Sequence, residues 1–181
     1  MIKIVIDTNV FLDFYDTHTE SIKVLEELKK NASNVVLPKL VYEEFLRSKN
    51  RLIDSVISNF EKSKPKKHYS SAMIQNLPIF KELENAWDNY SNYHGNVVKE
   101  LRDMKNNQEQ DVVFKYVEDM FRSNEVEKIE YDDSIIEKAK RRHILGHPPG
   151  TDEKTIGDEV IWETILVLQR WILTVDARFF F

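Results

Sequence analysis

The chain alternates between short β-branched apolar runs and long stretches in which apolar residues recur every three or four positions. Ile2 to Ile6 is the first such run. Its almost unbroken apolar character predicts a strand covered on both faces, as in a parallel sheet. Between Asp16 and Lys30, Ile22, Leu25 and Leu28 recur at helical spacing with charges elsewhere, which predicts an amphipathic helix. Val35 to Leu37 reads as a second strand, stopped by Pro38. Strand, helix and strand in succession form a βαβ unit and imply a parallel sheet with a right-handed crossover.

The middle of the chain is helical in pattern. Leu40, Val41 and Phe45 open one helix, and Ile53, Val56, Ile57 and Phe60 continue its stripe. From Ile79 onward Leu83, Trp87, Tyr90, His94, Val97, Leu101 and Met104 recur at steps of three or four. At that spacing Trp87, Tyr90 and Tyr93 read as core rather than as a base-stacking surface, and His94 reads as a core histidine. Val113, Tyr116, Val117, Met120 and Phe121 form another stripe, and Ile135, Ile136 and Ala139 a shorter helix ending near Arg142. The turn-rich stretch Leu145 to Gly157 feeds a helix from about Asp158 to Arg170. Its apolar face (Val160, Ile161, Ile165, Leu168, Trp171) is widened by Trp162, Leu166 and Val167, which predicts burial on more than one side. Trp171 to Val175 reads as a third parallel strand.

Composition narrows the class. A length of 181 residues with 41% hydrophobic content suits one domain, residues 1–181, and only 4 Gly and 5 Pro argue against long disordered linkers. Cysteine is absent, which excludes disulfides and thiolate zinc sites and agrees with a reducing, cytoplasmic setting. The longest apolar runs fall well short of the ~20 residues needed to span a bilayer, so no membrane association is expected. A net charge of -5 argues against a protein that coats nucleic acid by bulk electrostatics. It leaves room for a nuclease, whose acidic cluster is neutralised only by metal. Two basic stretches stand out, Lys62 to His68 and Lys138 to His143, and solvated helix ends account for either one.

Four acids carry the chemistry. Asp7 ends the first apolar run, Glu44 follows Leu37-Pro38 on a helical stretch, Asp158 opens the helix after Gly157, and Asp176 ends the last apolar run. Acids at the carboxyl ends of parallel strands converge on the edge where open α/β sheets place their sites. Converging carboxylates repel unless a hard cation such as Mg²⁺ lies between them. Each acid also has a simpler role. Asp7 suits a turn. Glu44 shares its stretch with Glu43, roughly 100° away around the helix, so only one of the two faces any given site. Thr155 to Asp158 resembles a capping box, with Thr155 as N-cap and Asp158 at the third helical position.

The sequence around these acids resembles the PIN domain family of metal-dependent nucleases. Ile6-Asp7-Thr8-Asn9-Val10 is similar to its D-T-N signature. Leu37-Pro38 through Glu44-Phe45 resembles its second motif, which selects Glu44 over Glu43. Gly157-Asp158 through Trp162 resembles its third motif, and Leu173-Thr174-Val175-Asp176-Ala177-Arg178-Phe179 its fourth, T-x-D-x-x-F. The stretch from His147 to Trp162, with Arg141 and Arg142 upstream, is similar to a bacterial subgroup with a long helical insert. The resemblance implies an α/β, three-layer fold with a short parallel sheet in the order 3-2-1-4-5, flanked by helices, and an insert at about residues 51–130. The chain stops at Phe181, soon after the fourth acid, where the family adds a strand and often a helix; Phe179, Phe180 and Phe181 are expected to pack on the sheet or on a partner.

The implied activity is hydrolysis of RNA phosphodiester bonds by an endoribonuclease, a toxin or antiviral defence effector, with Mg²⁺ or Mn²⁺ held by Asp7, Glu44, Asp158 and Asp176. Asn9 and Thr174 are candidates for orienting those carboxylates, and Arg141, Arg142 and Arg178 for contacting substrate phosphate. RNA, an antitoxin or defence-system partner, and a second copy of the chain are the expected partners. A degenerate, non-catalytic module that binds RNA or protein is the rival. A phosphotransferase of the haloacid type is disfavoured, because it wants an Asp where Asn9 stands.

Overall fold

A computed structural model describes residues 3–15, 22–67, 71–149, 155–167 and, as backbone, 172–175. The chain divides into two compact units, Met1–Asn50 with Val112–Phe181, and Arg51–Asp111. Among the described residues no helix is long and apolar enough to cross a membrane.

The first unit is built on a parallel sheet. Strand β1 (Lys3–Ile6) is followed by a short helix α1 (Thr8–Asp13) and by α2 (Ile22–Lys30), and the chain returns as β2 (Val35–Pro38). The crossover predicted by the periodicity is present, with residues 16–21 outside the described ones. After the second unit come α6 (Val112–Arg122), β3 (Glu127–Ile129), α7 (Asp133–Ile144), α8 (Gly157–Val167) and β4 (Ile172–Val175). The strand order is β3-β2-β1-β4, all parallel. This is the α/β arrangement the motifs imply, without a fifth strand among the described residues.

Strand β3 has no counterpart in the apolar pattern. Its sequence, Glu127-Lys128-Ile129, is mostly charged, because it pairs with β2 along one side only, and its residues stay partly exposed. β2 (Val-Val-Leu-Pro) is buried at every position, as a strand with neighbours on both sides must be. Around it lies the core: Val5, Ile6, Phe11, Leu25, Val36, Phe45, Val117 and Ile165 are all buried in one cluster.

The insert expected to reach about residue 130 corresponds to a helical unit that ends at Asp111. Val113, Phe114, Val117 and Met120 of α6 are buried in the sheet's own core, so the chain has returned to the first unit by Val112. The helix α3 (Lys39–Lys62) belongs to the first unit as far as Asn50, and the second unit begins at Arg51.

The second unit continues with α4 (Ala72–Gln75) and the long α5 (Pro78–Asn106). Pro78 sits at the first helical position, where its missing N–H costs nothing. Gly95 does not break α5, which runs through it as one helix. His94 is buried, stacks on Phe60 with ring centres 4.5 Å apart, and places Nε2 2.9 Å from the Phe60 carbonyl oxygen. Leu83, Tyr90 and Val97 are exposed, contrary to the expectation of a core stripe. The buried positions are Phe80, His94 and Val98: His94 is core as expected, while the other two lie off the expected stripe.

Helix α8 is buried on more than one side, as expected, at Glu159, Val160, Ile161, Glu163, Thr164 and Ile165, but Trp162, Leu166 and Val167, which were expected to widen its apolar face, are exposed. The buried positions include Glu159 and Glu163, which are tolerated there because α7 supplies partners for both.

Candidate functional site

Strand β1 delivers Asp7 just past its carboxyl end. Asp7 holds an extended backbone and caps α1, its Oδ1 accepting from the Thr8 amide at 2.7 Å. The turn-forming role is therefore real. Asn9 donates its side-chain amide to the other oxygen, Oδ2, at 3.3 Å. The same turn buries Thr8, whose hydroxyl donates to Glu44 Oε2 at 2.9 Å.

β2 runs into α3 without a loop: Pro38 ends the strand and Lys39 begins the helix. Glu43 and Glu44 thus fall on its second turn and point different ways. Glu43 accepts from the Tyr131 hydroxyl at 2.7 Å, and this bond is the first cause of a raised Tyr131 pKa. Glu44 faces Thr8 and Asp7. Of the adjacent pair, the geometry puts Glu44 at the end of β1.

The third acid arrives with α8. The Ile156 carbonyl accepts from the Val160 amide at 3.0 Å, which makes Ile156 the N-cap and Asp158 the second helical residue. Thr155 stands one residue before that N-cap, so Asp158 is not the third helical residue that a Thr155 capping box would make it. Gly157 stands against Glu44: a Cβ built on it would lie 2.5 Å from Glu44 Oε1. Only a residue without a side chain lets α8 approach this carboxylate so closely.

Glu44 registers the assembly electrostatically. Burial raises its pKa above the ordinary carboxylate value, and the charges of Asp7 and Asp158 raise it further. The Thr8 hydrogen bond and Arg47, a loose partner whose Nη2 is 3.9 Å from Oε1, pull it back down. Asp7, Glu44 and Asp158, drawn from three distant parts of the sequence, therefore share one electrostatic neighbourhood.

Among the described residues no three His, Cys, Asp or Glu side chains stand as a ready-made ligand set for a metal ion. The donors are nonetheless hard carboxylate oxygens, of the kind Mg²⁺ and Mn²⁺ take. Their mutual repulsion at Glu44 is what a divalent cation would relieve. Val175 on β4 pairs with Ile6 on β1, and Asp176 follows Val175 in the sequence. Asp176, Arg178 and the terminal Phe179, Phe180 and Phe181 lie outside the described residues. Thr174 is placed on β4 by its pairing with Val5.

The two arginines before the Pro-Gly loop have separate fates. Arg142 donates through Nε to Glu163 Oε1 at 2.7 Å and through Nη1 to the Pro148 carbonyl at 2.8 Å. It is a largely buried tie between α7 and α8. Arg141 is exposed and makes no ion pair among the described residues. Beside them His143 Nδ1 lies 2.7 Å from Glu159 Oε1, with Glu159 almost fully buried. The basic run thus locks α7 to the helix that carries Asp158.

Sequence reasoning missed Thr8, Arg47 and Gly157 as neighbours of Glu44, and the pairs Arg142–Glu163 and His143–Glu159. One signal was available: Glu159 and Glu163 are four residues apart on an otherwise apolar helix, a spacing that puts both on one face.

An open parallel sheet with acids gathered past its strand ends defines an α/β fold whose chemistry sits at the carboxyl edge. A family model of the PIN domain matches residues 4–170, and the chain belongs to the PIN domain family. Its fold is of the nuclease type; PIN domains are generally nucleases and typically use divalent metals. Neither the curated proteins nor the solved structures compared with the chain gave a match.

Proposed function

We propose that the chain is a metal-dependent endoribonuclease that uses Mg²⁺ or Mn²⁺. The observation that carries this reading is the neighbourhood of Glu44, whose carboxyl is raised by burial and by the charges of Asp7 and Asp158. Carboxylates brought together from three distant parts of the chain at a sheet edge fit a cation site.

Asp7, Glu44 and Asp158, joined by Asp176, would hold the ion. When bound, a divalent ion activates water for attack on phosphorus and neutralises charge that develops on the phosphodiester oxygens. The chain's own groups set the geometry. Thr8 fixes the rotamer of Glu44, Asn9 steadies Asp7, and the Arg142–Glu163 ion pair with the His143–Glu159 hydrogen bond holds the helix bearing Asp158. Arg141, exposed on α7, is the cation suited to a substrate phosphate. RNA as substrate rests on kinship with the family, as do a toxin or defence role, a partner protein and a cytoplasmic setting.

Cleavage of a labelled RNA panel with Mn²⁺, Mg²⁺ or chelator, run beside the Asp7→Asn protein, tests the proposal. Metal-dependent cleavage that disappears in Asp7→Asn is expected. Stabilisation by metal without any cleavage would replace the enzyme with a non-catalytic binding module. An Asp7→Asn protein of full activity would end the mechanism.

A further inference from the structure

Phe80, Trp87, His94 and Val98 follow one another at steps of seven, seven and four, which places them on one face of α5. Phe80, His94 and Val98 are buried there, yet Trp87 stays partly exposed. The cause is where α3 ends. It runs antiparallel to α5, with Asp54 paired to Lys105 and Phe60 stacked on His94, and it stops at Lys62. Past that point the stretch 63–67 takes over, with Lys67 Nζ 4.0 Å from Glu84. An open hollow remains, lined by Lys67, Phe80, Leu83, Glu84 and Trp87. Tyr90, 42% exposed, continues it, its ring centre 6.2 Å from that of Trp87.

The chain beside this hollow is basic. Lys62, Lys64, Lys66 and Lys67 stand close together with no acid among them, and all are exposed. Other cations of the same unit meet carboxylates: Lys105 pairs with Asp54 and Arg102 with Glu61. Lys62, Lys64 and Lys66 make no ion pair among the described residues. The α3 dipole favours a cation at its carboxyl end, which accounts for Lys62 but not for Lys66 and Lys67, beyond the last turn. Pro65 keeps the run out of the helix. The unit holds as many basic as acidic residues, so the chain's net charge of -5 falls on the first unit. Of the acids nearest the hollow, Glu84 is answered by Lys67, and Asp88 is turned about 100° round the helix from Trp87.

We infer that this end of the helical unit is a docking surface for single-stranded RNA. Lys62, Lys64 and Lys66 take its phosphates, and the rings of Trp87 and Tyr90 take successive bases. Unpaired cations beside open aromatic rings are the combination that holds single strands, because every base has a face to stack and every linkage a charge. A duplex keeps its base faces inside the stack, so the rings select against it. The choice of RNA over DNA rests on the proposed endoribonuclease activity.

Fluorescence anisotropy of a labelled, unstructured RNA with the full chain in chelator tests this, since binding is then read without metal-dependent cleavage. The double variant Lys64→Ala, Lys66→Ala should melt like wild type, both positions being exposed. It should lower the slope of log affinity against log salt by about 1.4, the share of two phosphate contacts on a single strand. Trp87→Leu should weaken binding about tenfold with the slope unchanged, and Trp87→Phe should restore most of it. Tyr90→Ala should weaken binding without a change in melting. A wild-type chain that leaves the RNA unbound at low salt would overturn the inference, as would a slope that the lysine variant leaves intact. So would duplex RNA bound as tightly as the single strand, single-stranded DNA bound more tightly than RNA, or binding indifferent to both Trp87→Leu and Tyr90→Ala. The nuclease reading fails separately. RNA cleaved with Mn²⁺ by a chain whose binding ignores the lysines would remove the docking surface alone. Lysine-dependent binding with no cleavage under any metal would support the surface and remove the nuclease alone.

Discussion

Glu44 and Gly157 are in contact across the site: the carboxylate oxygen Oε1 fills the space where a Cβ on Gly157 would stand, 2.5 Å away. The glycine starts α8, the carboxylate sits on α3, and Asp158 follows the glycine directly. The approach of one helix start to one side chain therefore fixes how far Asp158 stands from Glu44.

Gly157→Ala separates stability from chemistry. The added methyl meets the far end of a flexible side chain, so Glu44 swings aside at little cost to the fold. Alanine is also the better helix former. Melting should stay within a few degrees of wild type, whereas RNA cleavage at saturating metal should fall by roughly tenfold to a hundredfold, as displacements near 1 Å do. Single-turnover rates measured beside thermal melts would check this. Equal activity would show that Glu44 need not stand where it does.

The raised pKa of Glu44 has a definite consequence for stability. A carboxyl whose folded pKa exceeds its unfolded value of about 4.5 favours the fold when protonated. That contribution is complete below the unfolded pKa and is lost as pH rises through the folded one. At neutral pH the ionised Glu44 therefore opposes folding. Glu44→Gln keeps an acceptor for Thr8 and removes the charge. It should melt higher than wild type at pH 7 in chelator, with the gain shrinking as pH falls through the acidic range. Adding Mn²⁺ should raise wild-type melting and leave Glu44→Gln nearly unchanged.

What the sequence disclosed and what it hid divide on a physical line. Strands β1 and β2 and helix α6 announce themselves because burial demands apolar residues in a fixed period. β3 does not, since pairing on one side lets Glu127 and Lys128 stay wet. Helical periodicity places a residue on a face but does not say what covers that face. The same stripe therefore contains a truly buried His94 beside exposed Leu83, Tyr90 and Val97, while Phe80 and Val98, off the stripe, are buried. In the site, Asp7 and Asp158 were legible as acids at element ends. The choice of Glu44 over Glu43 took the motif resemblance, and geometry supplies the cause: Thr8 faces one and Tyr131 the other. Gly157 was invisible because its role depends on how close two helices come.

Asp7 both caps α1 and faces Glu44, and two substitutions pull these roles apart. Asparagine caps a helix about as well as aspartate, so Asp7→Asn should melt like wild type. Alanine cannot cap, and Asp7→Ala should lose about 1 kcal/mol of stability. Both should lack metal-dependent cleavage. Denaturant unfolding of the pair, set beside their activity, distinguishes loss of the cap from loss of the carboxylate. Residual cleavage in Asp7→Asn but not in Asp7→Ala would mean that the cap, not the charge, is what activity needs.

Arg141 and Arg142 are neighbours with opposite expected phenotypes. Arg142 pairs with Glu163, whose side chain is only 11% exposed. Arg142→Ala strands that carboxylate and frees the Pro148 carbonyl, and should cost about 2 kcal/mol, or roughly 4–8 °C in melting. Arg142→Lys should recover only part of this, because an ammonium cannot reach Glu163 and Pro148 with the guanidinium's planar fork. Arg141→Ala should leave melting unchanged. If Arg141 holds a substrate phosphate, its loss should weaken RNA binding and reduce the slope of log affinity against log salt by about one. Binding measured on the Asp7→Asn background keeps the RNA intact, so the salt slope can be read without cleavage. An unaltered slope there would return Arg141 to the ordinary role of a cation at a helix carboxyl end, where the α7 dipole alone is enough to favour it.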